Sequence, residues 1–90
     1  MSEASRGVHL ATLAHDGRIW DAYLEFDDDP ANRDFRARVR FSSPEADRFY
    51  RTTVIIIEPS YEEAVHHARN LPDRQLQALL RSVLPDDEAP

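Results

Sequence analysis

The chain contains no cysteine, no lysine and only two glycines, and its longest aliphatic run is Val54-Ile55-Ile56-Ile57. Without cysteine there is no disulfide framework and no thiolate metal site, which is compatible with a reducing compartment. With Gly7 and Gly17 alone, no glycine-rich phosphate loop can be built. A four-residue aliphatic run is far short of the roughly 20 residues that span a bilayer. No apolar stretch follows Met1–Arg6, so a signal peptide is not expected. These absences make a cytoplasmic location without a membrane span the expectation.

What is present is charge of both signs in ordinary globular proportion. Eleven arginines face seventeen acidic residues, for a formal net charge of -6 over 90 residues. That length suits one small domain with a single core. Net negative charge argues against non-specific nucleic-acid binding, which depends on neutralising phosphates. Against this background one segment stands out: Asp34-Phe35-Arg36-Ala37-Arg38-Val39-Arg40-Phe41 alternates guanidinium and apolar residues. Alternation with period two predicts a half-buried strand, with Arg36, Arg38 and Arg40 projecting from one sheet face.

The rest of the chain reads as four strands followed by two helices. Strand one covers about Val8 to Ala14 and strand two Arg18 to Phe26. His15-Asp16-Gly17 is expected to join them as a type I turn with a glycine bulge; a two-residue Asp16-Gly17 turn is the rival. A polar connection from Asp27 to Arg33 precedes the arginine strand, Asp34 to Ser42, and Ser43–Asp47 forms a second loop. Strand four is expected over Tyr50 to Ile57, stopped by Pro59. Ser60 and Glu63 form a Ser-x-x-Glu capping box ahead of Tyr61, Ala64, Val65 and Ala68 at helical spacing. Pro72 suits the first turn of a second helix carrying Leu76, Leu79, Leu80, Val83 and Leu84, which Pro85 ends.

The fold class implied is α+β: a four-stranded antiparallel sheet in β-β-β-β-α-α order, with both C-terminal helices on one face. Residues 7–84 form the domain, and 1–6 and 85–90 are expected to be disordered tails. The predicted core is Trp20, Ala22, Leu24, Phe26, Phe35, Val39, Phe41, Val65, Leu76, Leu79, Leu80 and Val83. Leu13, Ile19, Tyr23, Ile55 and Ile57 are expected beside the arginines on the uncovered face.

Four groups of residues invite a functional reading. An antiparallel register of Phe26 with Phe35, Glu25 with Arg36, Tyr23 with Arg38 and Asp21 with Arg40 supplies the arginine row with carboxylates, leaving Arg38 beside Tyr23. Glu62, Glu63, His66 and His67 place a carboxylate four residues before each imidazole. Adjacent histidines diverge by about a hundred degrees on a helix, so they do not grip one metal together. Asp27-Asp28-Asp29 lacks the spaced oxygens and turn glycine of a calcium loop.

The fourth group, Ser60–Ala64, Leu71-Pro72 and the following helix, resembles the helix-turn-helix of sigma-factor-like regulators over about a quarter of the chain. That resemblance implies DNA contacts by Arg74, Gln75, Gln77 and Arg81. The leucine stripe of the same helix is instead needed by the sheet.

No nucleophile has an evident base, and no catalytic, cofactor or metal motif is found. The expected function is therefore a non-enzymatic binding module. Its open sheet face, with Tyr23, Arg36, Arg38 and Arg40, would meet a protein partner or a second copy. A DNA-binding accessory role for the helical pair is the alternative.

Overall fold

The computed structural model describes residues 7–27, 31, 33–45 and 48–85. The tails expected at 1–6 and 85–90 lie, Pro85 apart, outside them, as do Asp28, Asp29 and most of the loop around them. The elements run β1 (Val8–His15), β2 (Arg18–Phe26), β3 (Phe35–Ser43), β4 (Arg48–Arg51), β5 (Ile56–Glu58), α1 (Tyr61–Arg69) and α2 (Asp73–Val83). The sheet is antiparallel in the order β1-β2-β3-β4, and β5 also pairs with β3. Two C-terminal helices follow, which is the α+β class the sequence predicts. No helix among the described residues is long and apolar enough to cross a membrane.

The first hairpin is closed by two residues, not three. His15 pairs with Arg18, and Asp16 and Gly17 both take positive φ, 53° and 76°. An Asp-Gly pair in this conformation matches the twist of the flanking strands better than a type I turn does. The tighter turn sets Leu13 opposite Trp20 and buries it, so Leu13 belongs to the core and not to the open face as expected. Farther along β1 the register slips between His9 and Ala11, a bulge that leaves Leu10 as the extra residue.

Strands β2 and β3 pair with the expected faces but two residues away from the expected register. Phe26 lies opposite Ala37, Glu25 opposite Arg38, Tyr23 opposite Arg40 and Asp21 opposite Ser42. An even shift preserves which side chains point inward, so hydrophobic alternation alone does not distinguish the two registers. The shift moves Phe35 to the frayed end of the sheet, opposite Glu58, where it is 40% exposed. Its place in the predicted core is taken by Ala37, and Phe35 instead packs edge-on against Phe26, which stacks on Tyr61.

The fourth strand is broken in two. Thr52–Ile55 on one side face only Arg38 and Val39 on β3, so two residues are inserted between β4 and β5. Thr52 holds the break together. Its N–H donates to Val39 C=O (2.9 Å), its Oγ1 accepts from Val39 N–H (3.1 Å), and the same hydroxyl donates to Thr53 C=O (2.6 Å). Ile55 N–H then resumes the ladder on Ala37 C=O. Because the insertion is even, Tyr50 and Ile56 still point to the same covered face. Ile55, expected outside, packs against the core instead.

Both helices cover the face formed by Trp20, Ala22, Leu24, Ala37, Val39 and Phe41. Ala64 and Ala68 of α1 pack with Leu24, Ala37 and Ile56. Leu76 and Leu80 of α2 pack with Leu13, Trp20, Ala22, Val39 and Phe41. Val65, Leu79 and Val83 are only half-buried at the margins. Glu63 N–H bonds Ser60 Oγ at 3.1 Å as the capping box requires; the reciprocal arm runs from the Ser60 hydroxyl to the Glu63 carboxylate.

The Thr52 splice yields a sharp expectation. Thr52→Val removes the acceptor of the buried Val39 N–H and should lower unfolding free energy by about 1–3 kcal/mol in urea titrations. Thr52→Ser, which keeps the hydroxyl, should recover most of that loss.

Candidate interaction face

Alternation along β2 and β3 leaves the second sheet face to Ile19, Asp21, Tyr23, Glu25, Arg36, Arg38, Arg40 and Ser42. Neighbouring strands add His9 and Thr12 from β1, Phe49 and Arg51 from β4, and Ile57 from β5. No helix lies on this side among the described residues; both packed helices draw on core residues of the other face.

The expected ion pairs re-form with different partners because of the register. The Asp21 carboxylate turns to β1 instead: its Oδ1 bonds His9 Nε2 (3.0 Å) and the Thr12 hydroxyl (2.9 Å). Asp34, just before β3, takes Arg36 at 3.4 Å, and Asp27 takes Arg38 at 3.6 Å. Glu25 lies between two cations, Arg51 at 3.2 Å and Arg40 at 3.7 Å. Arg40 and Arg51 are themselves a directly opposed cross-strand pair. Opposed like charges are destabilising, and the Glu25 carboxylate shared between them offsets part of the repulsion.

Aromatic rings order the same guanidinium groups. Arg40 lies over Tyr23 (5.2 Å to the ring centroid) and over Phe49 (5.6 Å), while Arg51 lies over Phe49 at 5.2 Å. Tyr23 also meets His9 edge-on. Phe49 is 53% exposed and Arg51 is exposed beside it, so this stacking happens at the solvent boundary. It is Arg40, not Arg38, that sits beside Tyr23. Arg38 has a carboxylate neighbour in Asp27, yet its Nε is buried without a hydrogen-bond partner.

Phe49 and Arg51 are site residues the sequence reading passed over. The signal was present in Arg48-Phe49-Tyr50-Arg51: once Tyr50 is placed inward, its two neighbours must point outward. Starting strand four at Tyr50 hid that alternation. Ile19 and Ile57 are exposed at 43% and 51%, as anticipated for this face.

The other groups carry less. His67 Nδ1 bonds Glu58 Oε2 at 2.8 Å, a partner from β5 and not from one helical turn back. Glu58, Glu62, Glu63, His66, His67 and Asn70 line a shallow surface depression of about 630 Å³. No group of three or more potential metal ligands is found among the described residues. The Asp27–Asp29 run, which lacks the spacing of a calcium loop, lies partly outside the described residues. In the helical pair, Arg74, Gln75 and Arg81 are exposed, but Gln77 donates from Nε2 to Ala14 C=O at 3.1 Å, committing it to the sheet. Leu76 and Leu80, on that same helix, are fully within the core.

Compared with known proteins, the chain matches no family model, no curated protein and no solved structure. The reading of this face therefore rests on its own chemistry.

The shared carboxylate sets a measurable coupling. A double-mutant cycle between Glu25→Gln and Arg51→Gln should give about 0.2–1 kcal/mol of favourable interaction, shrinking as salt is raised. A coupling of zero at low salt would mean that Glu25 does not balance the opposed arginines.

Proposed function

We propose that this protein is a non-enzymatic interaction module whose open sheet face binds an acidic segment of a protein partner. One observation carries the reading: Arg40 and Arg51 oppose each other across two strands, stacked on Tyr23 and Phe49, and both reach the Glu25 carboxylate. Placing like charges in register weakens a sheet, and a carboxylate delivered from outside relieves that penalty while gaining bidentate hydrogen bonds. Arg38, whose guanidinium lies 3.6 Å from Asp27, extends the cationic row along β3. Exposed Ile19, Phe49 and Ile57 supply apolar area around it, and apolar groups interleaved with charge are typical of interaction surfaces.

Carboxylates fit this face better than nucleic acid does. Proteins that bind single strands offer free aromatic faces for base stacking. Here the faces of Tyr23 and Phe49 are already taken by guanidinium groups. The net charge of -6 adds a repulsive background for a polyphosphate. The helical-pair alternative loses Gln77 to the sheet and its leucine face to the core.

Titration of the full chain with a synthetic peptide of alternating glutamate and tyrosine tests this. Binding should weaken with salt and should fall about tenfold or more in Arg40→Gln/Arg51→Gln, the loss expected for one or two charge-assisted hydrogen bonds. Arg74→Gln/Arg81→Gln, on the helical side, should leave it unchanged. Equal binding by both double variants, or no binding at low salt, would remove the open face as the site.

A further inference from the structure

The two edges of this sheet are built differently. The β4/β5 edge is interrupted: four residues, a spliced break over Thr52–Ile55, then three residues ending before Pro59. Arg48 and Arg51 add charge to it. Short strands, breaks, charges and proline are the devices by which sheets prevent edge-to-edge pairing. The β1 edge has few of them. Val-His-Leu-Ala-Thr-Leu-Ala-His runs eight residues with no Asp, Glu, Arg or Pro, and among the described residues it is the only strand or helix free of all four. Its one irregularity is the bulge at Leu10, which leaves Ala11–His15 regular.

The turn fixes which backbone groups of β1 are free. A two-residue hairpin turn is flanked by a hydrogen-bonded pair, here His15 with Arg18, so Leu13 and Ala11 also bond inward to Trp20 and Ala22. Thr12 and Ala14 then direct N–H and C=O away from β2. The Ala14 carbonyl confirms the direction, because it is capped from outside by Gln77 of α2. Among the described residues, no strand pairs with this outer side of β1.

We propose that β1 pairs antiparallel with β1 of a second copy, joining two sheets into one about a two-fold axis beside Thr12. The Thr12 N–H of each copy donates to the Thr12 C=O of the other, while Ala14 C=O stays with Gln77. The occupant is a second copy because the strand is self-complementary. In a molecule of net charge -6, this is, among the described elements, the one that two copies can align without opposing arginines or carboxylates. Thr12 side chains from both copies fall side by side on the open face, a favourable cross-strand pairing for a β-branched hydroxyl residue. The arrangement does not rest on the acidic-segment reading, since it uses the sheet edge and leaves the open face with Arg38, Arg40 and Arg51 uncovered.

Sedimentation equilibrium of the full chain tests it, together with amide exchange at Thr12. The chain should dimerise, with Thr12 exchange slowing as concentration rises. Thr12→Pro deletes two symmetry-related bonds and should weaken the dimer by roughly thirtyfold. Thr12→Lys sets two ammonium groups face to face between copies but opposite Asp21 within one, so it should give a folded monomer, checked by circular dichroism. Thr12→Val should keep the dimer.

A monomer at every concentration overturns the proposal, as does a dimer that survives Thr12→Lys. Loss of the dimer in Thr12→Val would overturn main-chain pairing in favour of a hydroxyl contact. Arg36→Glu/Arg38→Glu/Arg40→Glu should leave association unchanged; loss there with a normal Thr12→Lys dimer would place the contact on the open face instead.

Discussion

Strand β3 has to satisfy hydrogen bonds on both edges while presenting opposite chemistries on its two faces, and the rest of the fold follows from that constraint. Ala37, Val39 and Phe41 are fully buried on one side, and Arg36, Arg38 and Arg40 alternate with them on the other. One residue of slippage against β2 would drive three guanidinium groups into the helix layer. The strand is therefore locked in parity, though not in absolute register, by its own sequence. The helices need supply only alanine and leucine to complete the buried layer, because the sheet already brings Trp20, Leu24 and Phe41.

What was legible in the sequence was what periodicity reports: the faces, the strand-then-helix order and the helix cap at Ser60. What was not legible depends on contacts that periodicity cannot encode. Registers two residues apart bury the same side chains, so the pairing of Tyr23 with Arg40 rather than Arg38 leaves no mark on the hydrophobic pattern. Thr52–Ile55 is β-branched throughout and reads as uninterrupted strand. Its break depends on a hydroxyl standing in for a backbone acceptor. Phe35 looks like core by type and position, yet its exposure follows from where β3 begins relative to the helices.

The candidate face shows the same division. Which residues lie outside was readable, but which carboxylate meets which arginine was not. Asp21, expected to balance an arginine, is engaged by His9 and Thr12. Glu25 lies between Arg40 and Arg51, with aromatic rings over both guanidinium planes. Competition for a carboxylate, decided by strand register, thus sets how much cationic character the surface displays.

The Asp16-Gly17 turn also bears on how the chain reaches this state. Bringing strand ends together costs less entropy the shorter the segment between them. The β1–β2 hairpin closes over two residues, whereas pairing β3 with β5 requires residues as far apart as Phe35 and Glu58 to meet. The hairpin is therefore the least costly long-strand contact to form early and offers a template edge for β3. A left-handed pair of residues at the surface thereby lowers the entropic cost of the first hairpin as well as setting the register of Ala11–His15.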